Sequence, residues 1–212
     1  MEIDYSTLGV FMAASLALYI APGPDMIYVA TRAMGQGRRA GMLSAFGVST
    51  GVLVHMFAAS FGLAALLQVW PTAFVVIKWA GIAYLVYLGI RMLLSKQHDL
   101  DLAPTRHARS DWRLYRQGFF CNILNPKIAL FFLAFLPQFT DAALGDVTLQ
   151  MLFFGAVFAT GGLAWILMIA YVFGHAGNWV ARHPRALRAQ KWITGSSMLG
   201  LALFVALEER AS

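Results

Sequence analysis

Apolar residues gather in six long stretches, from about Ser6 to Ala33, Gly41 to Leu67, Pro71 to Leu94, Gln117 to Phe139, Thr148 to Gly174 and Trp192 to Leu207. A helix needs about 20 apolar residues to cross the hydrocarbon core of a bilayer. The pattern therefore predicts an all-α integral membrane protein with six transmembrane helices, built as one transmembrane domain over residues 1–212. The polar intervals are short, with one exception. Ser95 to Arg116 is basic, contains Pro104 and has no apolar period, so it reads as a cytoplasmic linker between one repeat over about 1–94 and another over about 117–212. The start, Met1-Glu2-Ile3-Asp4, lacks the basic region of a secretory signal. The first apolar stretch is thus expected to stay as a span.

Composition agrees with this class. Hydrophobic residues make up 59% of the chain and charged residues 12%, against about 25% charged in soluble domains. Such a chain has no room for a large domain outside the membrane. Its net charge of +6 would point to nucleic acid in a soluble protein. In a membrane protein, Lys and Arg in the loops set orientation instead, so the expected partner surface is the lipid bilayer and no nucleic acid. Arg32, Arg38 and Arg39 mark the first loop, and Arg91, Lys96, Arg106, Arg109, Arg113 and Arg116 the third. Arg182, Arg185, Arg188 and Lys191 mark the fifth. The second and fourth loops carry no basic residue, and the fourth has Asp141 and Asp146. The odd loops are therefore expected inside, with both termini periplasmic. The lone Cys121 excludes an intrachain disulfide and a CxxC redox centre.

Three spans per half is an odd number, so the second half must enter from the opposite side. That is the inverted-topology repeat of many secondary transporters, in which interrupted spans at matching positions point to the binding site. The first span is interrupted at Ala21-Pro22-Gly23-Pro24-Asp25 and the fourth at Leu124-Asn125-Pro126-Lys127. Proline breaks a helix interior but suits the first position of a new helix. Gly23 and Asn125 are then the expected N-caps. Each break would start a half-helix whose free N–H groups and positive dipole end suit a carboxylate. Two plain proline kinks remain the alternative, since membrane helices tolerate them.

Asp25 and Lys127 are the charges placed deepest within spans, and each follows its proline. Charges at such depth usually pair or face a pathway, so the two read either as a functional pair or as a structural ion pair between the halves. Lys78 lies nearer a span end and is expected to snorkel. Gly47 and Gly51 form a GxxxG face in the second span, with His55 one turn on, while Gly155, Gly161 and Gly162 do the same in the fifth. Close helix packing is the simplest use of these faces. His55 is a proton-relay candidate if it faces a cavity. Walker, HExxH and GxSxG motifs and Cys/His clusters are missing from the sequence. No enzymatic activity, metal or cofactor is expected.

Four segments resemble the LysE/RhtB family of amino-acid exporters. Pro22-Gly23-Pro24-Asp25-Met26 is similar to the family's PGP break. Gly35 to Gly41, followed by Gly47 and Gly51, resembles its glycine-rich lead-in to the second span. Lys78 to Gly89 is similar to its third-span signature. Asn125-Pro126-Lys127, with Phe131, Phe132 and Pro137-Gln138-Phe139, resembles its fourth. The last two spans carry little that is diagnostic. The resemblance implies export of amino acids or close derivatives across the bacterial cytoplasmic membrane, driven by the proton gradient. Combined with the breaks, it assigns substrate binding to Pro22, Gly23, Pro24, Asp25, Asn125, Pro126 and Lys127. The substrate carboxylate would meet Lys127 and the N–H groups after Pro126, and its ammonium would meet Asp25. Proton coupling would fall to Asp25, with His55 next. A cation exporter on the same scaffold and a non-transporting membrane subunit are the rival readings, and a chain this small leaves a homodimer open.

Overall fold

A computed structural model describes residues 5–63 and 110–181, together with short helical pieces between 75 and 94 and between 192 and 206. Lys78, Arg91, the linker around Pro104 and both chain ends lie outside the described residues. Among the described residues every regular element is helical.

Helix α1 spans Tyr5–Ile20 and α2 spans Pro24–Gln36. The chain bends by 52° between them. The cause is local: Ala21 N–H still bonds to Ala17 O, but Pro22 and Pro24 have no N–H to give. Gly23 then serves as N-cap in an extended conformation, and Pro24 begins the new helix. Gly37 ends α2 at φ 86°, a backbone conformation that glycine adopts without a Cβ penalty. Helix α3, Arg38–Phe57, follows directly and continues as a π-helical turn over Ala58–Leu63.

Helix α4 covers Asp111–Ile123. It starts six residues before the span predicted from Gln117, so the end of the expected linker is helical. Helix α5 begins at Pro126, runs as α-helix to Leu130, widens into a π-helical turn over Phe131–Phe135 and tightens to 3₁₀ over Leu136–Phe139. The bend between α4 and α5 is 49°, nearly that of the first break. A short 3₁₀ turn, Ala142–Leu144, leads into the long helix α6, Val147–Ala181. Helices α3 and α6 are each long and apolar enough to cross a membrane, and the number of such spans among the described residues rises to four if each bent pair counts as one.

Two apolar clusters flank the breaks. One is aromatic and joins α1, α5 and α6. In it, Phe11 packs against Phe131, Phe135, Phe139 and Phe154 with centroids 4.9–6.4 Å apart. The other joins α2, α3 and α6 through Val29, Ala33, Val48, Ile166 and Ala170. Helix α3 packs most extensively on α4. Gly47 and Gly118 make this approach possible, because a Cβ at either would strike the backbone of the other helix, at Tyr115 O and Ser44 O respectively. The predicted glycine face thus serves close helix packing.

Candidate functional site

The two breaks are hydrogen-bonded to each other, in a reciprocal way. Asp25, on the second residue of α2, accepts at Oδ2 from Asn122 Nδ2 and Asn125 Nδ2, both at 2.8 Å. Both donors belong to the α4–α5 break. Lys127, on the second residue of α5, donates from Nζ to Ala21 O at 2.9 Å and Leu18 O at 3.3 Å. Both acceptors belong to the end of α1, where helix carbonyls lack intrahelical partners and the dipole favours a cation. Each half therefore satisfies the charge of the other. Asn125 also caps α5, accepting at Oδ1 from Lys127 N at 3.1 Å. That bond occupies the first N–H available after Pro126.

Asp25 and Lys127 do not form a direct ion pair; the only ion pair among the described residues joins Arg39 to Asp111 at an exposed position. Both charges instead line one cavity of about 60 Å3, with Asn122, Tyr19, Phe158 and Trp165 also on its walls. The cavity has room for a few waters, each taking about 10–15 Å3 on this measure. Asp25 is 9% exposed and Lys127 8%. Asp25 Oδ1 is buried and accepts no hydrogen bond within ordinary distance among the described residues, while the Cys121 thiol lies against the same carboxylate. Lys127 uses two of the three donors of an ammonium. One acceptor and one donor of opposite charge are thus uncommitted at this cavity.

Gly23 serves the site for a steric reason. A Cβ there would lie 3.0 Å from Lys127 Nζ and 3.3 Å from its Cε. The absence of a side chain lets the ammonium reach the carbonyls of α1. Pro22 is buried and Pro24 exposed; they shape the break rather than offer it polar groups. Pro126 acts the same way in the second break, as the first residue of α5.

His55 stands apart from Asp25. Its Nε2 lies 3.2 Å from Asn122 O, and its ring stacks on Phe132 at 6.3 Å. It contacts the backbone of the residue whose side chain holds Asp25. Asn122 itself was not among the sequence candidates. It is fully buried and sits one turn before Asn125, so the i, i+3 spacing of two asparagines ahead of a proline was the available signal. Gly51 makes its place: a Cβ on Gly51 would fall 2.6 Å from Asn122 Oδ1.

Arg32 also departs from its expected setting. Assigned to a loop from the charge pattern, it lies on α2 and is only 7% exposed.

Comparison with known proteins adds the family. Residues 16–209 match the family described as LysE type translocator. The chain is 28% identical to a leucine efflux protein of Enterobacter sp. (strain 638) over 202 residues, covering 94% of this chain and 92% of that protein. It is 33% identical to a homoserine/homoserine lactone efflux protein of Salmonella typhimurium over 129 residues, 61% of this chain and 62% of that one. An uncharacterised membrane protein of Bacillus subtilis, YrhP, is 26% identical over 201 residues, 91% of this chain and 95% of the relative. No solved structure matches the chain. With nearly its whole length inside the family match, and with the charged, doubly broken centre described above, this chain belongs to the LysE type translocator family.

Proposed function

We propose that the protein is a secondary active exporter of amino acids or close derivatives across the bacterial cytoplasmic membrane, working by proton antiport with alternating access. The observation that carries this reading is the pair of uncommitted groups at one small cavity, Asp25 Oδ1 and the remaining Lys127 donor. A zwitterionic amino acid has the complementary pair. Its ammonium binds Asp25 and its carboxylate binds Lys127. The efflux relatives named above support the substrate class.

Antiport follows from competition at one carboxylate. On the inner side an ammonium displaces the proton from Asp25, and on the outer side a proton displaces the ammonium. His55, which reaches Asp25 only through Asn122, is the second candidate for carrying the proton. The cavity of about 60 Å3 is smaller than a whole amino acid, so binding requires the two halves to part. Rocking of one three-helix repeat against the other supplies that motion. The near-equal bends of 52° and 49° support the inverted repeat, which completes six spans with both termini periplasmic. A cation exporter fits less well. Metal ions take several O, N or S ligands, and no group of three His, Cys, Asp or Glu comes together among the described residues.

Two measurements test the reading. Vesicles with an imposed proton gradient should drive uphill movement of leucine, homoserine or another amino acid; movement of metal cations but no amino acid would overturn it. Single cysteines placed at Thr105 and Ser212 in a Cys121→Ser background should label from opposite sides of the membrane. A cytoplasmic Ser212 would remove the inverted repeat.

A further inference from the structure

Among the described residues, Arg32 is a buried cation without an anion. It lies seven residues after Asp25, so it shares a face of α2 two turns further along, with Tyr28 between them. The rise over seven helical residues is about 10 Å. Arg32 does not line the cavity that holds Asp25 and Lys127. Its guanidinium is held from two sides: Nη2 donates to Gln117 Oε1 on α4 at 3.3 Å, and the guanidinium carbon stands 5.2 Å from the centroid of the Tyr28 ring. Tyr28 is fixed in turn, donating to Leu114 O at 3.0 Å and approaching Gln117 Oε1 at 3.4 Å. Nε and Nη1 of Arg32 are buried and have no partner among the described residues. No carboxylate pairs with it among the described residues.

An arginine stays charged when buried. Leaving that charge and two N–H donors unpaired is costly, far more so than an apolar side chain of similar size. A charge in a membrane protein that the fold does not neutralise points to a substrate or ion path. The chemistry of the missing partner is narrow. It carries negative charge, it accepts at least two N–H groups, and it fits beside an aromatic face. A planar carboxylate meets each condition, and the fixed planar fork of a guanidinium suits it better than an ammonium would.

We propose that Arg32 is a carboxylate-binding station separate from the Asp25–Lys127 cavity, on the face of α2 leading toward Arg38 and Arg39. That a substrate amino acid supplies the carboxylate rests on the exporter reading above. The substrate docks its carboxylate on Arg32 when it arrives from the side of the α2–α3 junction, where Arg38 and Arg39 begin α3, and then passes to the cavity of Asp25 and Lys127, with Asp25 two turns of α2 away. Tyr28 and Gln117 act as positioning residues that hold the guanidinium ready.

Two experiments separate this proposal from the reading beneath it. The first needs no transport. The thermal unfolding of purified protein is followed with sodium acetate or with sodium chloride at equal ionic strength. Acetate should raise the Tm of the wild type and of Lys127→Met by roughly 2–4 °C, and leave Arg32→Gln unmoved. Arg32→Lys, which keeps the charge but loses the fork, should respond in between. An equal acetate shift in Arg32→Gln, or none in the wild type, would overturn the proposal. Removing an unpaired charge relieves a burial cost, so Arg32→Gln is expected to fold. The second experiment measures sidedness. In vesicles of both orientations, Arg32→Gln should raise the half-saturation for leucine or homoserine about tenfold when substrate is offered from the Arg38–Arg39 side. The maximal rate, and the half-saturation from the opposite side, should hold. A lowered maximal rate with unchanged half-saturation would also overturn the proposal. If the wild type moves no amino acid, the exporter reading fails, while the acetate comparison still decides what Arg32 binds.

Discussion

The two helix breaks share a bend, a proline at the first helical position and a charge at the second, yet they hold those charges by different means. Lys127 is bonded to two main-chain carbonyls of α1. Those acceptors belong to the helix itself and cannot turn away. Asp25 is bonded to two side-chain amides, through one oxygen only. Its second oxygen is buried and accepts no hydrogen bond within ordinary distance among the described residues. The caps differ as well: Asn125 caps α5 with its side chain, whereas Gly23 makes no side-chain cap for α2. One break therefore presents a tethered charge that knits the halves together. The other presents a charge left half-satisfied, which is the state a group needs if its partner is to be exchanged on each cycle. A symmetric pair of charges would have bound a zwitterion without distinguishing a mobile end from a fixed one.

The largest expected effect tests the exchangeable end. Asp25→Asn should abolish uphill efflux, because an amide cannot exchange a proton. Its oxygen can still accept from Asn122 and Asn125, so the thermal unfolding of the purified protein should hardly change. Exchange of substrate without a proton gradient should persist in weakened form, since the ammonium has lost a charged partner. Full proton-coupled efflux by Asp25→Asn in vesicles would place the proton elsewhere.

Lys127→Met tests the tethered end and should fail differently. It leaves Leu18 O and Ala21 O without their donor and Asp25 without a nearby cation. A buried group stripped of its partner costs about 1–3 kcal/mol, so Tm should fall by roughly 5–10 °C. Transport should be lost along with stability. If Lys127→Met kept the wild-type Tm, the tether would be idle and the contrast between the breaks would collapse.

Asn122 offers a finer probe, because it can be removed in two ways. Asn122→Ala deletes one of the two amides on Asp25. Gly51→Ala keeps the amide but introduces a methyl group 2.6 Å from Asn122 Oδ1, which drives the side chain from its place. A hydrogen bond to a charged group is worth about 1.5–3 kcal/mol, so each variant should raise the half-saturation for substrate by about ten- to a hundredfold. The two effects should not add in the double variant, since both act on one bond. Additive losses would mean that Gly51 matters for helix packing alone.

The breaks were legible in the sequence because proline chemistry is local: Pro24 and Pro126 each end one hydrogen-bond ladder and begin another, whatever surrounds them. The glycine face of α3 was legible for the same reason, since a missing side chain leaves few uses beyond close approach. What escaped depends on tertiary contact. Asn122 looks like one polar residue among apolar ones until Asp25, 97 residues earlier, is placed beside it. Arg32 sits at the edge of an apolar stretch, where hydropathy cannot separate a loop charge from a buried one. The first turns of α4 were read as linker because Asp111, Arg113 and Arg116 dominate any average there. The inward residue Leu114, only 2% exposed, was too lone a signal to show a helix with one buried face.

His55 gives the smallest expected effect and the sharpest limit on the contrast between the breaks. The competition proposed at Asp25 needs one titrating group, and His55 reaches it only through Asn122: Nε2 meets the backbone oxygen at 3.2 Å, while the side-chain amide meets the carboxylate. A backbone carbonyl accepts hydrogen bonds but does not pass protons on. His55→Gln preserves a donor of similar length and polarity in place of the ring. It should therefore retain uphill efflux, with rates changed by no more than about two- to tenfold, the scale of one ordinary net hydrogen bond. The same vesicle assay reads this outcome at several pH values. If His55→Gln lost coupling while downhill exchange continued, the proton would travel by way of α3. Asp25 would then be a substrate ligand alone, and the half-satisfied carboxylate would owe its free oxygen to the ammonium and not to the proton.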